Sequence, residues 1–122
     1  MKQKLILLLI PALFICLVLL PACKSEDEID IRGTWNHTST LMSSWSGTMT
    51  FQGSDLYSGT ATEIDPDGTM TGTWTRTGST VTVNLVWEGV SPYNWNLTIN
   101  SENSMTGTCS AGGYNGPATF TR

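Results

Sequence analysis

The sequence predicts an all-β protein whose strands follow one another in an antiparallel up-and-down meander and close into an eight-stranded barrel. Thr and Ser are abundant, and no 11-residue stretch of the domain shows a helical spacing of apolar residues. A six-residue pattern recurs at intervals near 12, the length of one strand plus one hairpin turn. Turn-forming residues separate the copies.

The repeated pattern is a large apolar residue, Ser or Thr, Gly, Thr, a second apolar residue, and Thr or Ser. Its four copies start 12, 13 and 35 residues apart, so the last interval leaves room for two more strands. Two strictly alternating segments fill that interval, and one segment at each end completes eight. The predicted strands are 34–40, 45–50, 57–62, 70–75, 81–87, 93–99, 105–110 and 118–121.

Turn chemistry lies between these strands. Asp, Asn, Gly, Ser and Pro concentrate at 52–55, 65–68, 77–79, 89–92 and 100–103. With no helix available for a crossover, each strand is expected to pair with the next, and closure would remove exposed strand edges. A sandwich of two sheets is the alternative.

Alternate residues of a strand share a face, which divides each predicted strand into an inner and an outer set. The outer set is mostly Thr, Ser and Asn. Four glycines share the inner face and let the strands coil around large rings: Gly47, Gly59, Gly72 and Gly107. The inner set is Trp35, His37, Trp45, Met49, Phe51, Tyr57, Met70, Trp74, Val81, Val83, Leu85, Trp87, Tyr93, Trp95, Leu97, Ile99, Met105, Cys109, Ala118 and Phe120.

The amino-terminal segment has the features of a secretory signal. Lys2 and Lys4 precede an apolar stretch at 5–20, which Pro11 interrupts and which is short for a membrane-spanning helix. Leu20-Pro21-Ala22-Cys23 resembles a lipobox, the processing site of bacterial lipoproteins. That resemblance implies a signal peptide at 1–22, acylation of Cys23, an acidic tether at 23–32 and a barrel domain at 33–122.

The net charge of the chain indicates which partners it can bind, and the residues that follow Cys23 indicate where the protein is located. From Cys23 onward, four cationic residues face ten acidic ones, a net charge near −6. This composition disfavours nucleic acid and charge-driven binding to anionic lipid, so the membrane partner is expected to be reached through the anchor. Lys24 favours the outer membrane, where the domain would face the periplasm or the cell surface. The acidic run at 25–28 resembles a surface-export tag of some bacterial lipoproteins, although a solvated tether is the simpler interpretation.

The GTW sequence at 33–35 opens the first strand. It resembles the start of lipocalins and avidins, the calycin barrels, and the segment 67–74 resembles a strand of the avidin type. The resemblance implies that Trp35 and Trp74 form the barrel floor. It also implies an arginine stacked across the floor tryptophan, for which Arg76 is the candidate, although Arg76 could equally meet a ligand carboxylate.

Candidate binding residues come from the inward aromatic side chains. Nine of them in so short a barrel favour a filled core over an open cavity. The functional alternative is a narrow apolar pocket at the open end, formed by Trp45, Tyr57, Trp87 and Tyr93, with Arg76 as a further ligand contact. His37 is expected to be a satisfied core residue, because the sequence places no acidic or cysteine partner for a ligand or base role. Cys109 is expected to be a small buried hydrophobe.

No catalytic, metal or cofactor site is indicated. The acidic turn at 65–68 lacks the ligand spacing of an EF-hand, no Gly-x-Ser-x-Gly elbow occurs, and no motif pairs two carboxylates. The sequence therefore predicts a non-enzymatic envelope lipoprotein whose barrel binds a small apolar or amphipathic ligand. The alternative is a structural or interaction module with a filled core that contacts envelope proteins or polysaccharide.

Overall fold

The computed structural model describes residues 28–41, 44–88 and 91–122, which form a closed antiparallel barrel of eight strands. Each strand pairs with its sequence neighbours, and β1 pairs with β8 to close the barrel. This confirms the predicted meander and excludes the two-sheet sandwich. The strands are β1 (Gly33–Ser39), β2 (Trp45–Gln52), β3 (Ser58–Asp65), β4 (Gly68–Thr77), β5 (Thr80–Val86), β6 (Tyr93–Ser101), β7 (Ser104–Ala111) and β8 (Tyr114–Thr121).

The predicted signal peptide and the acceptor Cys23 lie outside the described residues. Within the described part of the chain, no helix is long and apolar enough to cross a membrane. Residues 28–32 of the predicted tether are described, and Ile29 and Ile31 are buried with the barrel core.

The meander gives the barrel two ends with different contents. One end, here called the top, carries the connections β1–β2, β3–β4, β5–β6 and β7–β8. The other end, the bottom, carries the remaining three connections, the start of β1 and the end of β8. Residues 29–32 precede β1 and therefore enter the barrel from the bottom.

β8 begins four residues earlier than the sequence predicts, at Tyr114. The reason is a two-residue turn formed by Gly112 and Gly113, whose φ angles are 58° and 86°. Positive φ at both central positions is the geometry of a type I′ hairpin turn, which joins twisted strands tightly. β7 and β8 consequently pair over the whole of their lengths.

Two glycines of the repeat lie where neighbouring strands come so close together that no side chain would fit. A Cβ added to Gly72 would lie 1.9 Å from the carbonyl oxygen of Asn84, and one added to Gly107 would lie 1.8 Å from that of Asn96. Both contacts are with backbone of the adjacent strand, which a side-chain movement cannot relieve. These glycines therefore mark places where the sheet bends sharply to close the barrel.

The interior follows the predicted alternation with few exceptions. Trp35, Trp74 and Trp95 are fully buried, whereas Trp45, Trp87 and Tyr93 are partly buried at the top. Tyr57 was predicted to point inward but is 54% exposed, because it precedes β3 and lies in the β2–β3 connection. Further buried residues that are absent from the predicted inner set include Ser39, Leu41, Ala61 and Glu63.

Candidate functional site

A pocket of about 210 Å³ opens at the top of the barrel. Strand ends supply its walls: Trp45 begins β2, Tyr93 begins β6, and Trp87 directly follows β5. Met70 and Leu41 add apolar surface, and polar groups complete the rim. The full lining is Leu41, Ser44, Trp45, Asp65, Asp67, Met70, Trp87 and Tyr93.

Trp45 is held in place by a polar contact and by its aromatic neighbours. Its indole Nε1 donates a hydrogen bond of 2.7 Å to Oδ2 of Asp65. Its ring lies 5.8 Å from the ring of Tyr93 and 5.7 Å from that of Trp95, measured between centroids. The Asp65 carboxylate also accepts hydrogen bonds from the backbone amides of Asp67 and Gly68, so the β3–β4 turn fixes the carboxylate that orients the indole.

Beneath Trp45 lies a buried acid–base pair. Nε2 of His37 on β1 is 2.8 Å from Oε1 of Glu63 on β3, and both side chains are at most 1% exposed. The His37 ring meets the Trp45 ring edge to face, at 5.0 Å between centroids, and stacks on Phe120 at 5.4 Å. Trp45 therefore lines the pocket and at the same time covers the pair.

Gly47 on β2 provides the space for the Glu63 carboxyl group. It is the register partner of His37, and a Cβ there would lie 2.6 Å from Oε1 of Glu63. The same Cβ would lie 2.5 Å from the carbonyl oxygen of Ile64. The glycine of the first repeat copy thus allows a carboxyl group on β3 to reach an imidazole on β1.

Several buried polar atoms near this pair have no hydrogen-bond partner among the described residues. They are Nδ1 of His37, Oγ of Ser39, Oε2 of Glu63 and Nε1 of Trp95. All four belong to the upper part of the barrel, since Ser39 ends β1 and Trp95 is near the start of β6. Leaving a buried polar atom unpaired costs about 1–3 kcal/mol, so this cluster is an expensive feature of the fold.

Burial raises the pKa of Glu63 above its ordinary value, the hydrogen bond with His37 opposes this, and the nearby Asp65 carboxylate adds to the rise. Cys109 is free and buried, as the sequence predicts, and burial together with the Glu63 charge raises the pKa of its thiol to about 12. A thiol with that pKa is not a nucleophile near neutral pH.

The bottom of the barrel is closed by packing. Nε1 of Trp35 donates to the carbonyl of Ile31 at 2.7 Å, and Nε1 of Trp74 donates to that of Gln52 at 3.0 Å. The arginine that the structure places over the Trp35 ring is Arg122, whose Cζ lies 4.3 Å from the ring centroid. Arg76 is buried and donates to the carbonyls of Ile29 and Gly78.

The residues predicted to bind a ligand therefore separate into two groups. Trp45, Trp87 and Tyr93 meet at the top pocket. Tyr57 and Arg76 lie at the opposite end. The expectation that Tyr57 shares the open end with Trp45, Trp87 and Tyr93 is therefore wrong. Strand direction explains the separation, because Tyr57 comes before an upward strand and Arg76 comes near the end of a downward one.

Sequence reasoning also missed one partner in the site. His37 was correctly predicted to be a buried core residue, but it has an acidic partner, Glu63. Continuing the alternation of the second repeat copy beyond position 62 would have placed Glu63 on the inner face. Among the described residues, no three His, Cys, Asp or Glu side chains come together as a metal site.

The chain matches no family model and no curated protein. It is similar to a redesigned β-barrel, at 20% identity and a TM-score of 0.64, over 83% of this chain and 96% of the other. A de novo designed fluorescence-activating β-barrel matches at 15% identity and a TM-score of 0.62, over 82% and 99%. A redesigned β-barrel bound to DFHBI matches at 25% identity and a TM-score of 0.60, over 75% and 98%. These similarities support the closed barrel fold.

Proposed function

We propose that this barrel binds a small apolar or amphipathic molecule in its top pocket, and that a lipid on Cys23 anchors it to the outer membrane of a bacterial envelope. The pocket itself carries the binding proposal. It is open to solvent and walled by three partly buried aromatic side chains, Trp45, Trp87 and Tyr93. Aromatic walls with a few polar groups at the rim are typical of small-molecule sites.

The size of the pocket limits the ligand. Pockets for drug-sized ligands usually enclose about 300–1,000 Å³, and this one encloses about 210 Å³. Below it the core is filled by Trp95, His37 and Phe120. We therefore expect the pocket to hold one ring system or a short chain, with any remaining part of the ligand outside the barrel.

The structural neighbours support a binding role in a general way. One of them, with the same closed architecture, is bound to DFHBI. An eight-stranded barrel is just wide enough to hold one small ligand when its interior is not completely filled. Among the described residues, the interior is left unfilled at the top, where the pocket lies.

Binding can be tested with N-phenyl-1-naphthylamine, a neutral probe whose fluorescence rises in apolar surroundings. We would use protein carrying Cys23→Ser, so that no acyl chain competes for the pocket. The expected result is a saturable rise in probe fluorescence together with quenching of tryptophan emission, since Trp45 and Trp87 line the site. Tyr93→Ala should weaken the binding severalfold, because it removes one wall.

Tyr57→Ala is the matched control for Tyr93→Ala, since it removes the same side chain at the other end of the barrel. Loss of binding only in Tyr93→Ala supports the top pocket. If both variants bind like the parent, or if the parent does not bind at all, the pocket proposal fails. A filled barrel that acts through contacts with envelope proteins or polysaccharide then becomes the better hypothesis.

The anchor has a separate test, metabolic labelling of the full chain with a palmitate analogue. Cys23→Ser should abolish the label and release the protein from the membrane fraction. Cys109→Ser is the control, because that thiol is buried in the barrel and should not be acylated. Persistence of the label in Cys23→Ser would overturn the anchor proposal, whatever the result of the binding experiment.

A further inference from the structure

We infer that the preferred ligand of the top pocket is an organic cation, with an ammonium group attached to a flat apolar body. This inference rests on the proposed function, since it names the chemical class that the same pocket would select. Three observations lead to it: the distribution of charge between the two ends, the aromatic walls, and an unpartnered buried carboxyl oxygen next to the pocket wall.

Charge is distributed unevenly along the barrel axis. The described residues contain three arginines, and all of them lie at the bottom. Arg32 contacts Gly53 in the β2–β3 connection, Arg76 contacts Gly78 after β4, and Arg122 contacts Glu102 in the β6–β7 connection. The acidic residues of the top are Glu63, Asp65, Asp67 and Glu88.

The pocket is therefore open at an end with an acidic rim. Asp65 and Asp67 both line it, and Asp67 is exposed. A carboxylate ligand would be repelled there, whereas an ammonium group would be attracted and would partly neutralise the rim. The His37–Glu63 pair does not reverse this preference. A positive charge on His37 would be cancelled by the charge of Glu63, and the charges of Asp65 and Asp67 would remain.

The aromatic walls favour the same class of ligand. A cation placed over the face of Trp or Tyr is attracted by the quadrupole of the ring, most strongly with Trp. The Trp45 indole donates its N–H to the Asp65 carboxylate at 2.7 Å, an arrangement that increases the electron density of the ring. Trp87 and Tyr93 present two more rings to the same pocket.

Glu63 supplies the independent observation. Its Oε2 has no partner among the described residues, although its side chain is only 1% exposed. The carboxyl group lies close enough to Asp65 for the two charges to repel, and its register partner Met70 lines the pocket. A cation bound in the pocket against Asp65 would offset that repulsion without having to touch the buried Glu63 carboxyl group.

Three probes of matched size separate charge from shape: 2-phenylethylammonium, 2-phenylethanol and phenylacetate. Binding is followed by the NMR shifts of the indole Nε1–H signals of Trp45 and Trp87. The ammonium compound should bind about tenfold more tightly than the alcohol, and the carboxylate more weakly than both. The preference for the ammonium compound should fall as the ionic strength rises.

Asp67→Asn removes one rim charge from an exposed position. It should reduce the ratio of ammonium binding to 2-phenylethanol binding about threefold. Asp55→Asn, the same change on an exposed residue at the bottom, should have no effect. If Asp67→Asn and Asp55→Asn both retain the parent preference, the rim does not select the ligand and the inference fails.

The outcomes for this inference and for the proposed function are distinguishable. Equal binding of the three probes, or tightest binding of phenylacetate, overturns the inference and leaves the pocket proposal standing. The same holds if only N-phenyl-1-naphthylamine binds. If neither that probe nor any of the three matched compounds binds, both proposals fail together.

Discussion

The two ends of this barrel solve the problem of buried polar groups differently. At the bottom, both indole N–H groups have carbonyl partners, those of Trp35 and Trp74, and Arg122 donates to three backbone carbonyls while covering the Trp35 ring. At the top, four buried polar atoms are without partners among the described residues. The contacts at the bottom therefore stabilise the fold, whereas the buried polar atoms at the top remain able to accept or donate further hydrogen bonds.

Under the proposed function, this difference explains how a very small barrel combines folding with binding. One packed end with residues 29–32 against it supplies apolar burial, so that the other end can carry a costly polar cluster and an acidic rim. Functional sites commonly contain such locally unfavourable features, which the remaining structure has to offset. If substitutions at the two ends lower the free energy of unfolding equally, this difference between the ends does not hold.

The largest expected difference is between two tryptophan substitutions. Trp35→Ala at the bottom should destabilise the protein by about 3–5 kcal/mol, because it removes a fully buried ring and leaves the Ile31 carbonyl unpaired. Trp87→Ala at the top should cost less than about 1 kcal/mol, since that ring is only partly buried. Urea unfolding of the two variants measures both values. Similar losses would show that the top contributes to stability as much as the bottom does.

Substitutions of Glu63 test the polar cluster. Glu63→Ala should destabilise the fold by about 2–4 kcal/mol, because it leaves Nε2 of His37 unpaired in a new cavity. Glu63→Gln keeps the hydrogen bond and cannot ionise. Burial raises the pKa of Glu63 in the folded protein, so its protonation stabilises the fold below the ordinary pKa of 4.5 and this stabilisation is lost as the pH rises through the folded value.

Glu63→Gln should therefore gain stability relative to the parent as the pH rises. The groups that face Glu63 are His37, Asp65 and the Cys109 thiol. Unfolding of the parent and of Glu63→Gln at several pH values between 4 and 8 measures the gap between them. A gap that does not change with pH would mean that Glu63 stays ionised through its pairing with His37.

Arg122 connects the end of the chain with the floor of the barrel. Arg122→Ala should cost about 1–2 kcal/mol through loss of the contact over Trp35 and of hydrogen bonds to the carbonyls of Asp30, Arg32 and Glu102. Arg122→Lys keeps the charge and loses the planar fork, so it should recover less than half of that. Urea unfolding measures both variants, and full recovery by Lys would show that charge alone is required.

The strands, their order and most of the inner face could be predicted from the sequence. A 12-residue repeat with strict alternation leaves few arrangements other than a meander, and turn residues mark where the strands end. The ends of the barrel were predictable as well, because consecutive strands run in opposite directions. Tyr57 precedes the third strand and Trp45 begins the second, so they had to lie at opposite ends.

The pairing of His37 with Glu63 could not be obtained in this way. These residues are 26 positions apart, and their contact depends on the register of two strand pairs and on the space left by Gly47. A sequence pattern shows which face a residue occupies and not which of the other inward residues it meets. The polar atoms without partners are likewise a property of packing geometry, since each residue type involved can be fully satisfied elsewhere.

The smallest expected effect concerns surface charge at the two ends. Asp30 accepts hydrogen bonds from Arg32, which lowers its pKa from 3.8 to about 2. Its contribution to stability is therefore present above the ordinary pKa and is lost as the pH falls through the lowered value. Because both side chains are substantially exposed, Asp30→Asn should lower the free energy of unfolding by only about 0.5 kcal/mol at pH 7 and by nothing near pH 2.

Asp67→Asn, on the acidic rim at the top, should leave the free energy of unfolding unchanged at pH 7 or should raise it slightly, because it removes repulsion. Thermal unfolding at low and at high salt measures both variants, and equal losses would show that the ends do not differ in their electrostatics.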